Sequence, residues 1–299
     1  MATFDGGVYL DKQLDSIERQ DFKNWRLIVS DDGSTDNTLN ILLERQKKWG
    51  ATKLEIRTGL AKGFATNFLS LAVDPSIEAD FYAFCDQDDY WFPEKLSRAV
   101  DMLTQRALPA KPNLYCGRTI YADESLNEIG MSPLFVHPRS FRNALIQSIA
   151  GGNTMVFDTN FKKLLQEIGL VEVVSHDWWL YQLATGASGR VVYDQQPTIF
   201  YRQHSNNLVG ENGGILSKLK RLTMLVDGRF KKWNDINTEA LIKNKNHLEH
   251  TNAEILEMFV RLRTAKLKDR LRLIEVCGLY RQTWNGTISL MFAAILKKL

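Results

Sequence analysis

The sequence has few cysteines and lacks the long apolar segments of a membrane-spanning chain. Its three cysteines, Cys85, Cys116 and Cys277, are odd in number and have no metal-ligand spacing. They therefore argue against a disulfide framework or a zinc site and favour a reducing compartment. The longest late apolar stretch, residues 288–296, is far shorter than the ~20 residues that a spanning helix needs. We expect a cytoplasmic protein whose chain does not cross a membrane.

Two common nucleotide-binding loops are also absent from the sequence. No Gly-x-Gly-x-x-Gly follows a predicted strand, and no Gly-Lys-Ser or Gly-Lys-Thr occurs, which excludes dinucleotide-dependent oxidoreductases and P-loop ATPases of the usual kind. The 299 residues are 44% hydrophobic and 24% charged, which is ordinary globular composition. This length allows one large domain, or one domain with an appendage. We expect no nucleic-acid partner.

Charge divides the chain into two parts. Residues 213–299 contain 17 Lys and Arg against 8 Asp and Glu, whereas residues 1–212 contain 21 against 27. Helical periodicity in residues 216–226, 239–247 and 253–280 predicts a basic helical region after a boundary near residue 212. Its positive charge favours peripheral contact with an anionic membrane at the inner face of the plasma membrane, or else a solvated helical surface. The apolar residues at the end of the chain are expected either to lie in a membrane interface or to pack on neighbouring helices.

Before that boundary, apolar runs alternate with amphipathic stretches. Residues 25–30, 53–57 and 81–85 have the pattern of buried strands, and residues 63–72 have that of a helix. This alternation predicts an α/β protein with a mostly parallel sheet flanked by helices. Ligands of such sheets bind beyond the carboxyl ends of the strands.

Three carboxylates, Asp86, Asp88 and Asp89, follow the strand at 81–85 within four positions. Carboxylates crowded at a strand end repel one another unless a cation lies among them. Mg²⁺ or Mn²⁺ takes oxygen ligands and is usually held by one or two carboxylates together with substrate phosphates. The cluster therefore indicates phosphate chemistry. The simpler alternative is that these acids favour the N-terminus of the helix after Pro93.

Two later segments carry further candidate residues. Asp177 adjoins Trp178 and Trp179, so it is either a helix cap beside core indoles or a general base beside rings that stack on a sugar. Arg202 and His204 follow a strand-like run. A guanidinium matches phosphate oxygens, and a neutral imidazole can complete the coordination of a metal.

Taken together, these segments resemble glycosyltransferase family 2, which has the GT-A fold, and within it the bacterial rhamnosyltransferase-like members. The resemblance covers nearly all of residues 1–210. The segments that carry it are Ala2-Thr3-Phe4-Asp5-Gly6, Asp31-Asp32-Gly33-Ser34, Gly63 with Asn67, Asp86-Gln87-Asp88-Asp89, Gly151-Gly152-Asn153-Thr154-Met155, His176-Asp177-Trp178-Trp179 and Tyr201-Arg202-Gln203-His204.

The resemblance implies an inverting transfer of a sugar, with L-rhamnose as the best candidate, from a nucleoside diphosphate-sugar to a hydroxyl of a glycan or lipid-linked glycan. Asp177 would be the catalytic base, Asp88 and His204 would bind Mg²⁺ or Mn²⁺, and Trp178 with Trp179 would bind the acceptor. Asp31 or Asp32 would hold the nucleoside base, and Asp86 the ribose. The donor site as a whole would comprise Thr3, Asp5, Asp31, Asp32, Asp86, Gln87 and Arg202.

Two departures from the family pattern occur near the start of the chain. Only Met1 and Ala2 precede Thr3, where the family has a complete apolar strand, so we expect the first strand to be truncated by ~5–8 residues. Asp5 stands where the family commonly has Asn. Two rival functions remain: a non-catalytic carbohydrate-binding module that uses the two indoles, and a metal-dependent nucleotidyltransferase that uses the acidic cluster.

Overall fold

The computed structural model describes residues 1–204 and 228–299, which form alternating strands and helices followed by a helical region. The helices are α1 Leu10–Glu18, α2 Thr38–Trp49, α3 Phe64–Val73, α4 Lys95–Arg106, α5 Phe141–Ala144, α6 Thr159–Ile168, α7 His176–Gly186, α8 Arg229–Lys243, α9 His250–Thr264, α10 Leu267–Cys277 and α11 Trp284–Ile295. The strands are β1 Ala2–Thr3, β2 Leu27–Asp31, β3 Leu54–Thr58, β4 Phe81–Ala83, β5 Tyr90–Trp91, β6 Asn113–Gly117, β7 Ile120–Ala122, β8 Glu128–Met131, β9 Val156–Asp158, β10 Arg190–Asp194 and β11 Ile199–Arg202. The α/β class predicted from the sequence is confirmed.

The strands pair in three groups that mix parallel and antiparallel neighbours. The groups have the orders β1-β2-β3, β10-β6-β9-β4 and β5-β11-β7-β8. The first group is parallel throughout, as are the pairs β10-β6 and β11-β7. The other pairs are antiparallel. The parallel pairing of β1 with β2 brings the carboxyl ends of both strands to one edge.

The N-terminal elements form because their apolar residues recur at the correct period. Leu10, Leu14 and Ile17 recur at spacings of four and three, and all three are buried on one face of α1. Leu27 and Val29 of β2 are buried in the same apolar cluster. Helices and strands with a single buried face must pack against each other, so this cluster holds α1 against β2.

The C-terminal helices share a core with the α/β part. One apolar cluster includes Phe68 of α3, Trp179 of α7, Phe259 of α9 and Leu290 of α11. The predicted helical character of this region is confirmed for residues 228–299. The stretch predicted at 253–280 is divided into α9 and α10, because the backbone leaves the helical conformation at Ala265. The predicted boundary at residue 212 and the predicted helix at 216–226 lie outside the described residues.

Asn143 of α5 joins the two parts by hydrogen bonds. Its side chain is fully buried. The amide Nδ2 donates to the Tyr280 carbonyl (2.9 Å), and Oδ1 accepts from the Tyr181 hydroxyl (2.8 Å). The segment before α11 and the middle of α7 therefore depend on one amide. In residues 1–204 and 228–299 no helix combines the length and apolarity needed to cross a membrane.

Asn143→Ala should lower the free energy of unfolding by about 2–4 kcal/mol, because it leaves two partner groups without their hydrogen bonds. Urea denaturation followed by circular dichroism measures this change. Asn127→Ala is the matched control, since Asn127 is exposed and its side-chain amide donates to the nearby Asp123. A variant at Asn143 as stable as that control would contradict the assigned role.

Candidate functional site

The turn after β2 is organised by Asp31. Its carboxylate accepts hydrogen bonds from Thr3 Oγ1 (2.7 Å), from Gly33 N (3.1 Å), and from both N and Oγ of Ser34 (2.8 and 2.6 Å). Thr3 and Asp31 are both buried. We refer to the surface where the loops after β1, β2 and β4 meet as the cleft. The bonds to Asp31 satisfy both of its carboxylate oxygens, so Asp31 and Thr3 order the loop rather than project into the cleft.

Asp32 is the more accessible acid of this turn. It is half-buried, and its Oδ1 accepts a hydrogen bond from the backbone N–H of Ala61 (3.1 Å). A Cβ atom at Gly59 would collide with this carboxylate oxygen. Glycine is therefore required at position 59. Of the two acids predicted to hold a nucleoside base, Asp32 has the surface available for it.

Asp5 and Gln87 link three loops into one wall of the cleft. Asp5 Oδ1 accepts from the backbone N–H of Thr35 (2.7 Å), which joins the loop after β1 to the turn after β2. The Gln87 amide accepts from Phe4 N (2.9 Å) and donates to Phe4 O (3.0 Å). This pairing brings the acidic segment that follows β4 against the same loop. The loops at the carboxyl ends of β1, β2 and β4 thus meet.

The carboxylates of the acidic segment have different surroundings. Asp89 is fully buried and accepts from Asn153 Nδ2 (2.7 Å) and from the backbone N–H of Arg202 (3.3 Å). Asp86 is half-buried, and burial together with the charges of Asp88 and Asp177 raises its pKa to about 7. Asp86 therefore lies close to both Asp88 and Asp177. Asn153 lies in the Gly151–Met155 segment that the family resemblance includes, but its role was not predicted.

Asp88 and His204 form the pair best suited to bind a divalent cation. His204 Nε2 lies 2.8 Å from Asp88 Oδ2, and the imidazole stacks on the ring of Tyr9. In residues 1–204 and 228–299, no group of three His, Cys, Asp or Glu side chains forms a complete metal site by itself. One carboxylate and one imidazole nevertheless fit Mg²⁺ or Mn²⁺, which usually complete their shells with water and substrate phosphates. No sequence signal indicated Tyr9.

Contrary to the prediction, Arg202 does not face the cleft. Its side chain is fully buried, Nε donates to the backbone carbonyl of Asp88 (2.7 Å), and Nη1 donates to the carbonyl of Glu124. The prediction failed because a guanidinium near a strand end can bind carbonyls of its own chain as well as phosphate. Arg202 therefore fixes the position of Asp88 and cannot reach a donor directly in this conformation.

Lys95 places a buried ammonium group beneath the acidic segment. Its Nζ lies 3.9 Å from the centroid of the Trp91 ring, and the side chain is fully buried. Burial lowers the pKa of Lys95 to about 8, against the opposing effects of Cys85, Asp89 and Asp86. Its cation-π contact and these nearby charges compensate part of the cost of burial.

Asp177 lies in the first turn of α7, on the side of the cleft, whereas the indoles of Trp178 and Trp179 point into the core. Asp177 is half-buried, and its charge acts on Asp86. Trp178 and Trp179 are only 6% and 0% exposed, and Trp178 Nε1 donates to the Ala144 carbonyl (2.7 Å). The prediction that both rings bind an acceptor is therefore wrong for this conformation. Two adjacent indoles can both be buried because α7 is enclosed on nearly all sides.

His176 is buried in an aromatic environment next to the candidate base. Its ring stacks on Phe68 with centroids 4.2 Å apart and meets Phe84 edge to face at 4.7 Å. Among residues 1–204 and 228–299, neither ring nitrogen finds a hydrogen-bond partner. Burial lowers the pKa of His176 to about 4, although the charge of Asp177 opposes this effect. The imidazole is therefore neutral at pH 7. A Cβ at Gly152 would collide with Nε2.

A cavity of about 600 Å³ lies beside the segment that leads into α7. Val173 and Val174 line it on one side, and Arg229, Lys232 and Trp233 of α8 line it on the other. The backbone N–H of Val174 donates to Asn237 Oδ1 (3.1 Å), which fixes α8 to this segment. Asp177 is only three residues beyond Val174, so the cavity lies near the candidate base.

His176 should make folding stability depend on pH. Its pKa is lower in the folded than in the unfolded chain, so the unfolded state binds the extra proton between pH 6.5 and 4. Stability from this group is fully present above pH 6.5 and is lost as pH falls towards 4. The loss from pH 7 to pH 5 should be about 2 kcal/mol.

Urea denaturation of the wild type and of His176→Leu at pH 7 and pH 5 measures this contribution. The wild type should lose about 2 kcal/mol more than the variant on acidification. His250→Leu, at an exposed position on α9, should keep the wild-type dependence. Equal pH dependence in the wild type and His176→Leu would mean that His176 is not buried as described.

Comparison with known proteins agrees with the arrangement of this cleft. The family model described as glycosyl transferase family 2 matches residues 1–168, more than half of the chain. A curated relative, the dTDP-rhamnosyl transferase RfbG of Shigella flexneri, is 32% identical over 240 residues, which cover 78% of this chain and 81% of the relative. Another relative is the GalNAc(5)-diNAcBac-PP-undecaprenol beta-1,3-glucosyltransferase of Campylobacter jejuni. It is 35% identical over 107 residues, which cover 36% of this chain and 33% of the relative.

Solved structures share the fold. S. aureus TarS 1–349 has a TM-score of 0.53 at 16% identity, over 85% of this chain and 67% of that chain. The mannosyltransferase PcManGT from Pyrobaculum calidifontis, solved with GDP-Man and Mn²⁺, has a TM-score of 0.50 at 16% identity, over 99% of this chain and 85% of that chain. On the extent of the family match and the similarity to RfbG, the chain belongs to glycosyltransferase family 2.

Proposed function

We propose that the protein catalyses an inverting transfer of one sugar from a nucleoside diphosphate-sugar to a hydroxyl group of a glycan acceptor. The observation that supports this most directly is that Asp86 lies close to both Asp88 and Asp177, whose charges act on it. In the proposed step the acceptor oxygen bonds to the anomeric carbon while the bond from that carbon to the diphosphate breaks. Asp177 accepts the hydroxyl proton, and nucleoside diphosphate leaves.

Asp88 and His204 would hold Mg²⁺ or Mn²⁺. Such an ion, when bound, offsets the negative charge that develops on the departing diphosphate. The residues around the pair keep it in position. Arg202 fixes the backbone of Asp88 through its carbonyl, and Tyr9 stacks on His204. In this proposal Arg202 acts on the donor only through Asp88.

The donor would lie along the loops after β1, β2 and β4. Asp32 would bind the nucleoside base and Asp86 the ribose, because both carboxylates are half-buried at the cleft. Thr3, Asp5, Asp31 and Gln87 would support them through the hydrogen bonds between these loops. The similarity to RfbG favours dTDP-L-rhamnose as the donor.

The acceptor would approach Asp177 from the cavity beside α8. Trp233 offers a ring for a sugar, and Lys232 offers positive charge for a phosphate. This cavity takes the role that the sequence predicted for Trp178 and Trp179. Two relatives are described as acting on undecaprenol-linked sugars, which supports a glycan joined to a lipid by a diphosphate as the acceptor.

Asp177→Asn should lower the transfer rate about 10²–10⁴-fold, because an amide cannot accept the hydroxyl proton. Binding of dTDP to the variant, measured by calorimetry, should remain as in the wild type. Glu172→Gln is the control, since Glu172 is an exposed acid a few residues earlier and its loss should leave the rate unchanged. Full activity in Asp177→Asn would refute the assignment of the base.

Asp88→Ala should abolish the increase in nucleotide affinity that Mn²⁺ produces. Calorimetric titration of dTDP and UDP, each with and without Mn²⁺, measures this increase without turnover. Asp80→Ala is the control, because Asp80 is an exposed carboxylate before β4. The same Mn²⁺ dependence in Asp88→Ala as in the wild type would exclude Asp88 as a ligand. Tighter binding of UDP than of dTDP would argue against a dTDP-sugar donor.

A further inference from the structure

Helix α11 is apolar on two opposite faces. Leu290, Ala293 and Ala294 are buried against the core. The opposite face carries a continuous stripe of exposed apolar side chains. These are Trp284 (77% exposed), Ile288 (40%), Met291 (37%), Phe292 (60%), Ile295 (41%) and Leu296 (65%). We refer to these six residues as the α11 stripe. Their spacings of four, three, one, three and one place them on one side of the helix.

The α11 stripe is too large to be incidental. Single exposed apolar residues are common on protein surfaces, but contiguous patches of large ones mark interaction sites. Trp and Phe are among the side chains that contribute most to such contacts. The neighbouring helix α10 exposes Leu271 as well, and it is joined to α11 by Arg270, which donates to the Ala294 carbonyl (2.8 Å).

The charged residues that flank the stripe along the sequence are positive. No Asp or Glu occurs after Glu275, whereas Arg281 precedes α11 and Lys297 and Lys298 follow it. Cations at both ends of an apolar stripe favour an anionic surface with an apolar interior. A second copy of the chain is disfavoured as the occupant, because two such surfaces would bring like charges together.

We propose that the α11 stripe lies in the interface of an anionic phospholipid bilayer, with the helix parallel to the membrane plane. The twelve residues of α11 are too few to span a bilayer, which requires ~20. Trp284, Phe292 and Leu296 enter the boundary between head groups and acyl chains, and Arg281, Lys297 and Lys298 lie at the level of the phosphates.

Hydrogen bonds fix this surface relative to the candidate base. The backbone N–H of Gln282, just before α11, donates to Gln147 Oε1 (2.9 Å), and Asn143 binds the Tyr280 carbonyl. Ala144, next to Asn143, accepts from the indole of Trp178. Trp178 follows Asp177 directly. A membrane bound at α11 is therefore held at a constant distance from Asp177, which, if the proposed function is correct, suits an acceptor joined to a lipid.

Vesicle flotation of the full chain tests the proposal. The vesicles contain phosphatidylcholine alone, or phosphatidylcholine with about one third phosphatidylglycerol. The wild type should float with the anionic vesicles, bind the neutral ones at least several-fold less, and detach as salt is added. The double variant Trp284→Asp, Phe292→Asp should reduce the partition coefficient at least tenfold, on the order expected for two lost aromatic insertions.

The matched control is Leu39→Asp, Leu43→Asp. These residues are exposed on helix α2, and the change adds the same charge outside the α11 stripe, so flotation should remain near the wild-type value. Thermal unfolding of both double variants verifies that the fold is retained. Failure of the wild type to bind anionic vesicles, or equal flotation of both double variants, would overturn the proposal.

Two further outcomes separate this proposal from the others. If the wild type sediments as a dimer that the α11 variant dissociates, and no flotation occurs, the stripe binds a second copy and the membrane proposal is wrong. Nucleotide binding by calorimetry should be the same in the wild type and the α11 variant. An α11 variant that no longer floats but still binds nucleotide has lost the membrane surface and kept the nucleotide site. Because flotation requires no sugar transfer, this result is independent of the proposed function.

Discussion

Mutual repulsion among carboxylates is the constraint on which the site depends. Asp86 lies close to Asp88 and Asp177, and the buried Asp89 lies close to Asp86 and Asp88. Burying such charges is costly unless each is compensated. Asp89 accepts a hydrogen bond from the amide of Asn153, Asp88 pairs with His204, and the buried ammonium of Lys95 acts on Asp86 and Asp89. Burial and the neighbouring carboxylates nevertheless raise the pKa of both Asp86 and Asp89. A cation bound among these carboxylates would relieve this repulsion.

Much of the remaining structure serves to keep this cluster in position. The loops after β1 and β2 are joined through Thr3, Asp5 and Asp31, and Gln87 joins the acidic segment to them. On the other side, Asn143 connects α7 with the residues before α11. The C-terminal helices therefore belong to the same core as the catalytic half, and their outward surface has a fixed relation to the cleft. A surface held this rigidly can orient the whole enzyme on whatever it binds.

Several candidate residues could be predicted from the sequence because their chemistry depends on local order. The acidic turns follow apolar strands, and the carboxyl ends of β1 and β2 meet at one edge because the strands are parallel. The roles of Arg202, Trp178 and Trp179 could not be predicted in this way. Arg202 donates to the carbonyl of Glu124, and Trp178 donates to the carbonyl of Ala144. Both partners are distant in the sequence. Likewise, the cavity lined by Val173 and Val174 forms only where α8 packs near this segment.

The sequence by itself determined the α/β class, the positions of the acidic turns and the basic character of the C-terminal region. These follow from hydrophobic period, turn residues and charge, all of which act over a few neighbouring positions. Tertiary structure alone decided which polar groups face the cleft and which support it from behind. It also decided that one side of α11 is buried and the other exposed, because a helix that is apolar all round has no preferred face until its neighbours cover one of them.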